Sequence, residues 1–365
     1  PPGNVMISAT HSHTGPIFSG SRRFDAIGGN HPLAQEFTYS LPSLIARAVK
    51  EASAKLAPAR LAVGTGIEEG LAFNRRFHMR DGSVGWNPGK FNANIIRAAG
   101  PTDPQVQVLY FYESKQEPIA TYVNFAMHLD TVGGLNYSAD YPFTLSELLA
   151  RAKGPEMLTL FSTGCAGDIN HVNVNWADKQ HGPEEAARIG TILAANVLRT
   201  FEHLETNVVT GPLRISSEIV PLPLPDIDPE QSEKAAKIAE RIDSKITPVP
   251  KFMDQVEAFK VLDVEARQGK PHQVEVQVIA LGQDLAWVSL PGEIFVELGL
   301  SIKAGSPFRQ TIIAELANGS IGYIPTRRAY SEGNYEVVSA RCAEGSGELL
   351  VSSALRQLRK LFAAK

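Results

Sequence analysis

The stretch Asn4-Val5-Met6-Ile7-Ser8-Ala9-Thr10-His11-Ser12-His13-Thr14-Gly15-Pro16 decides the reading of this chain. A β-branched, apolar run feeds two histidines and then a Gly-Pro break. The run predicts a buried strand ending at His11. In extended backbone, residues two apart point to the same side, so His11 and His13 are expected to emerge together where the chain turns away. Imidazole is the commonest divalent-metal ligand near neutral pH. An isolated His-x-His also occurs in ordinary polar loops, so the rest of the chain has to supply partners.

The bulk properties narrow the classes. The chain of 365 residues is 43% hydrophobic and 20% charged, ordinary globular composition with enough length for a sizeable core. A net charge of −4 and the lack of a basic stripe argue against a nucleic-acid partner. No run of about 18 apolar residues occurs, so no spanning segment is expected. Cys165 and Cys342 are too few for a disulfide framework. The start Pro1-Pro2-Gly3, with neither Met nor a signal pattern, reads as a fragment or processed form.

Further candidates stand at the ends of other predicted elements. A helix is expected around Phe37 to Val49, kinked or started by Pro42, and a strand over Leu61 to Gly66. Phe73-Asn74-Arg75-Arg76 enters a polar loop, Asp81 to Asn94, in which both arginines are solvated unless one binds a polar substrate group. Val106–Tyr112 and Pro118–Phe125 form a hairpin around a turn at Glu113 to Glu117, and the second strand runs into His128. Asp140 reads as a simple cap of the next helix, Phe143 to Ala152. Leu158 to Phe161 is a short strand ending in small residues, Gly164-Cys165-Ala166-Gly167, that let backbone come close to something. Pro183 opens a helix to about Leu204, whose stripe Ile189, Leu193, Val197 and Phe201 is core.

A strand over Pro212 to Pro225 precedes the charged segment Asp226 to Gln268. That segment reads as two helices broken near Pro248-Val249-Pro250, a peripheral insertion or lid, residues 226–268. A second hairpin, Val274–Leu281 with Leu285–Leu290, delivers Glu293 at the start of a helix. Thr311–Leu316 is a strand followed by Tyr323 in a Gly-flanked extended piece. Tyr330, Tyr335 and Glu336 fall in a polar loop, and Glu348 to Phe362 closes as a helix. The fold class expected is α/β, one domain over residues 1–365, with a mixed central β-sheet or sheets flanked by helices and the active site at strand ends.

Four strand ends thus carry His11/His13, His128, Glu293 and Tyr323. This order resembles the catalytic domain of the neutral/alkaline, non-lysosomal ceramidases. The matching pieces are Thr10-His11-Ser12-His13-Thr14-Gly15-Pro16 after Asn-Val-Met, then Asn74-Arg75 and Asp103-Pro104-Gln105. His128, Pro291-Gly292-Glu293-Ile294-Phe295, Gly322-Tyr323-Ile324-Pro325-Thr326 and Tyr335-Glu336 follow in family order. The resemblance spans most of the chain. It implies one zinc ion held by His11, His128, Glu293 and Tyr323. It further implies that His13 and Arg75 touch the substrate amide, with Asn74 alongside, and that Tyr335 lines the site. A phenol serves as a ligand because a bound metal lowers the pKa of attached groups.

The chain departs from the family in several places. Against the family pattern, the chain is expected to lack the stretch before the histidine strand and the C-terminal immunoglobulin-like domain, the 226–268 segment replaces a longer insertion, and Pro325 stands for the usual Thr. The function the resemblance implies is zinc-dependent hydrolysis of a lipid amide or another small amide to a fatty acid and an amine, by attack of a zinc-bound water. His13 is then the proton shuttle, and Tyr323 and Arg75 steady the oxyanion. It also implies contact with a membrane surface and a secreted or periplasmic location. The competing readings are a zinc hydrolase of the same fold acting on another amide or ester, and a carbohydrate- or surface-binding protein with a relict metal site.

Overall fold

The computed structural model describes residues 2–20, 24–25, 28–113, 118–202, 208–244 and 247–364. The predicted turn at Glu113 to Glu117 lies largely outside them, as does the predicted helix end at Leu204. Two sheets dominate. In the first, Val208–Val209, Arg60–Ile67, Gln105–Tyr112, Pro118–Phe125 and Leu158–Thr163 are neighbours in that order, all antiparallel except the last pair. In the second, Leu213–Leu222, His272–Leu281, Leu285–Ser289 and Gln310–Ala314 are neighbours, again with only the last pair parallel.

The alternation of side chains along each strand explains how these sheets stack. Val106, Val108, Tyr110 and Tyr112 join a core with Leu145, Leu149, Ile189 and Leu193 of the helices Tyr141–Lys153 and Pro183–Thr200. Leu109, between them, faces the other way and packs with Leu61, Val63, Leu285 and Ile312. The second sheet repeats the device: Val274, Val276 and Val278 pack under the helices Val296–Gly305 and Ser346–Ala363 through Leu298, Leu350 and Leu358. The result is four layers, helices outside two stacked sheets, which is the mixed α/β arrangement of sheets flanked by helices that the sequence suggested. Gln107 and Asn124 donate across the sheet interface to the carbonyls of Thr311 and Ile313, both at 3.0 Å.

Several sequence expectations change. The apolar run at Asn4 to Ser8 is not a buried strand. Pro2–Asn4 is a 3-10 turn, Val5 and Ile7 are exposed, and Ser8 makes only an isolated bridge to Ala317. Among the described residues its backbone is taken up only by the short 316–318 turn, through Ala9 N–H to Leu316 O and Asn318 N–H to Ile7 O, too little to extend into a ladder, so β-propensity alone does not make it a strand. The helix Pro32–Ala54 runs through Pro42 and has no buried residue. With Val5, Ile7 and Phe18 its apolar stripe lines an open groove of about 680 Å³. The polar loop 81–94 contains the strand Val84–Trp86, which pairs with Arg76–Met79, itself paired with Ile95–Ala98. Tyr330 and Tyr335 lie in short helices, Arg327–Glu332 and Tyr335–Ser339, not in a loop. The charged segment does form two helices, Pro229–Asp243 and Phe252–Glu265. Among the described residues, no helix is long and apolar enough to cross a membrane.

Candidate metal centre

The centre forms where loops from both sheets meet. The segment Ile7 to His13 threads between them. Ala9 N–H donates to Leu316 O at 3.1 Å, Thr163 Oγ1 donates to Thr10 O at 2.8 Å, and His13 N–H donates to Leu129 O at 3.0 Å. His11 itself adopts φ 70°, a left-handed backbone that costs a β-carbon residue about 1–2 kcal/mol. That kink, rather than extended alternation, brings the two histidines together, with His13 Nε2 3.2 Å from His11 Nε2.

His128 arrives from the first sheet, just past Phe125, and is fully buried. Its Nδ1 lies 2.7 Å from Ala166 O and 2.9 Å from Ile169 O. Two carbonyls can only accept, so Nδ1 carries the proton and Nε2 presents its lone pair inward. Glu293 arrives from the second sheet in a two-residue pair with Tyr323–Ile324, before its helix begins at Val296. Its Oε2 lies 3.4 Å from His11 Nε2 and 3.3 Å from His128 Nε2. The same oxygen is buried and has no hydrogen-bond partner among the described residues.

This donor set fits a divalent cation. Two ligand atoms each about 2.0–2.1 Å from one tetrahedral zinc stand roughly 3.3 Å apart. The imidazole-to-carboxylate separations match, and a bound cation would answer the unpartnered Oε2. His11, His13 and His128 together form a group able to hold a metal ion. His13, which the resemblance sets beside the metal, is therefore close enough to belong to it.

Tyr323 is buried beside Glu293 and Arg75. Burial, and then the charge of Glu293, raise its phenol pKa well above the ordinary value. Arg75 and Arg76, read as solvated, are among the most buried polar side chains in the protein. Arg75 Nε donates to Glu336 Oε1 at 2.8 Å, and its Nη2 donates to Gly167 O at 2.7 Å and to Tyr323 Oη at 3.1 Å. Its guanidinium lies 5.5 Å from the centre of the Tyr323 ring and 5.9 Å from that of Tyr335. Arg76 takes the other oxygen of Glu336 at 2.9 Å. Asn74 is turned to the frame: its amide donates to Asp168 Oδ2 at 2.7 Å and accepts from Arg76 N–H at 3.0 Å.

Sequence reasoning missed the residues that hold this frame. Glu315 Oε2 accepts from Ile294 N–H at 2.8 Å and from Ala166 N–H at 3.2 Å, so one oxygen ties the Glu293 strand to the turn that orients His128. It too ends a strand, the signal that singled out Glu293. Asp168 accepts from Val296 N–H at 2.8 Å, and burial pushes its pKa up to about 6. Gly167 leaves no room for a side chain, since a β-carbon there would meet Glu293 O at 2.6 Å. Asp130 and His171 form a dyad at 3.0 Å beside the cluster. Asp140 is the cap expected, accepting from Tyr141 N–H at 2.7 Å.

Fold and site together define a mixed α/β protein with a buried His/Glu cluster, at the meeting of two sheets, able to hold a metal. Two solved structures share the fold. One is a neutral ceramidase from Pseudomonas aeruginosa, 19% identical, with a TM-score of 0.70 over 98% of this chain and 60% of that one. The other is a ceramidase complexed with C2, 18% identical, with a TM-score of 0.70 over 98% of this chain and 61% of that one. The chain has the neutral ceramidase fold and spans about three fifths of the length of these structures. No protein-family model and no curated protein sequence matches it.

Proposed function

We propose that this protein is a zinc-dependent amide hydrolase of the neutral ceramidase type, cleaving an N-acyl lipid to a fatty acid and an amine. The observation that carries the reading is the buried, unpartnered Glu293 Oε2 between two inward-facing imidazoles. The shared fold supports the same class. His11, His128 and Glu293, with Tyr323 beside them, would hold the ion, which when bound supplies a Lewis acid for the scissile carbonyl and a water acidified to a pKa of about 7.

The protein's own groups then divide the work. Desolvation, and then His11 and His128, lower the His13 pKa to about 4. Its ring is therefore neutral near pH 7, and as a shuttle it would hold a proton only in transit, since a pKa that low favours handing the proton on to the leaving amine. The Tyr323 oxygen accepts from Arg75 and its hydroxyl is hydrogen-bonded to Glu293, so the phenol is fixed between the cation and the carboxylate of the centre. Arg75 is held by Glu336 and Gly167, so it fixes the phenol in place while its cationic face adds a positive field. Tyr335, 5.4 Å from Tyr323 ring to ring, flanks the approach.

The test is metal analysis joined to turnover. Stoichiometric zinc lost in His11→Ala, with ceramide hydrolysed by the parent protein, supports the reading. Hydrolysis of short N-acyl amines but not ceramide would assign another amide to the same machinery. A metal-free, folded protein inactive on both would remove the proposal.

A further inference from the structure

The segment 226–268 carries a core of its own. Ala235, Ala258 and Val261 pack with Ile227, Ile238 and Leu262, and none of these comes from the rest of the protein. Its two ends leave the second sheet side by side, because Leu222 and His272, which bound it, are register partners at the end of an antiparallel pair. On its way back the chain passes Gln268 and Gly269, both in left-handed backbone at φ 52° and 75°. A unit with its own core, hung from two adjacent strand ends, can turn away from the body without breaking a hydrogen bond of the sheet.

The segment meets the body beside the centre. Phe252, the first residue of its second helix, closes on Trp86 and Tyr335 at 6.1 and 5.6 Å, centre to centre, and Trp86 lies 4.4 Å from Tyr335. Their planes are tilted by only 16° to 31°, so the three rings cover one another's faces. Tyr335 also stands edge to face with Tyr323 at 5.4 Å, which makes it the link between this stack and the cluster. Toward the other end of the same helix, Asp263 accepts from Arg341 Nε at 2.6 Å. The fastening is light. Phe252 is 53% exposed, and Trp86 Nε1 is buried in the stack with no hydrogen-bond partner among the described residues. Opening the stack would return that N–H to water, which offsets part of the lost ring contact.

We propose that the segment 226–268 is a lid, latched by Phe252 on Trp86 and Tyr335, and that its release uncovers Tyr335 and the way to Tyr323. The proposal concerns access to the centre and stands apart from which bond is cut there. Such lids are drawn from the least stable part of a fold and move without unfolding the rest.

Hydrogen exchange read by mass spectrometry on the full chain tests this in the parent protein, in Phe252→Ala and in Phe252→Tyr. In the parent, the helices Pro229–Asp243 and Phe252–Glu265 should exchange together, and faster than the strands Gln105–Tyr112 and His272–Leu281. Phe252→Ala removes two ring pairs. Exchange of both helices and of Tyr335–Ser339 should quicken about tenfold, with the two sheets unchanged. Phe252→Tyr keeps the stack and should exchange like the parent. Helices that exchange as slowly as the sheets overturn the proposal, because the segment then opens only when the whole protein unfolds. So does a Phe252→Ala variant whose sheets quicken as much as its helices, which would make Phe252 a pillar of the fold. So does one in which Tyr335–Ser339 fails to quicken with the helices, since the segment would then move without baring the centre. No substrate enters the experiment, so a protein inactive on every amide would leave a lid seen in this way standing. A segment that never opens would leave the hydrolase reading to its own test.

Discussion

Glu293 and Tyr323 are direct register partners in a two-residue parallel pair, so a carboxylate and a phenol far apart in sequence stand side by side at the centre. The pairing aligns Glu293 with the two imidazoles and Tyr323 with Arg75. Both side chains are buried, so neither has solvent to fall back on.

Zinc should therefore stabilise the fold through Glu293. At a free concentration of 100 to 1,000 times the Kd, a ligand specific to the native state adds about 3–4 kcal/mol. Thermal unfolding of the parent protein should rise by several degrees when zinc is restored after chelation. Glu293→Gln, which keeps the shape and loses the charge, should show little of that rise. An equal rise in both proteins would mean the ion sits elsewhere.

Glu315 should act on the metal without touching it. Burial holds its pKa well above the ordinary value, and glutamine, its uncharged isostere, keeps an oxygen to accept from both N–H groups. Glu315→Gln should keep the fold and zinc. Glu315→Ala leaves the Ile294 and Ala166 N–H groups without their acceptor, about 1–3 kcal/mol for each unpaired buried group. Zinc affinity should drop about 10–100-fold, read by competition with a chelating dye.

Glu336→Ala should be among the most damaging substitutions. It strips the common partner from Arg75 and Arg76, both 4% exposed or less. Breaking a buried ion pair by removing one side costs about 3–5 kcal/mol. Urea unfolding should show a free energy of unfolding lowered by about that amount, with a correspondingly lower midpoint, and an unshifted midpoint would show that the network does not hold the two arginines.

The Asp130–His171 dyad sets a pH window. Burial opposes the charge on both, but Asp130 is held well below the usual carboxylate range by its hydrogen bond from His171, and His171 is raised by Asp130 in turn. The aspartate contribution is present above its unfolded pKa of about 4 and fades as pH falls through the lower folded value. The histidine contribution is full below about 6.5 and fades as pH rises through the higher folded value. The parent protein should outlast His171→Gln most between about pH 4 and 6.5 in thermal melts. A constant difference across pH would show that the dyad is not ionised as a pair.

Much of this was readable from residue order alone, and the failures have physical causes. The hairpins were visible because apolar runs flank short polar turns, and His128, Glu293 and Tyr323 stood out at strand ends. Asn4 to Ser8 misled because high β-propensity does not supply a pairing strand, and among the described residues the segment's backbone meets only the short turn at Leu316 to Asn318. Arg75 and Arg76 read as solvated because their shared carboxylate lies some 260 positions away. The number of sheets stayed open because Val106 to Tyr112 is apolar on both faces, which fits one buried layer as well as two.

The donors at positions 11, 128 and 293 come from separate loops spread over most of the chain, brought together only when both sheets have closed. No excised peptide can reproduce that constellation. Metal retained after refolding thus counts correctly assembled molecules, and a protease nick that releases either end should empty the centre before it melts the rest.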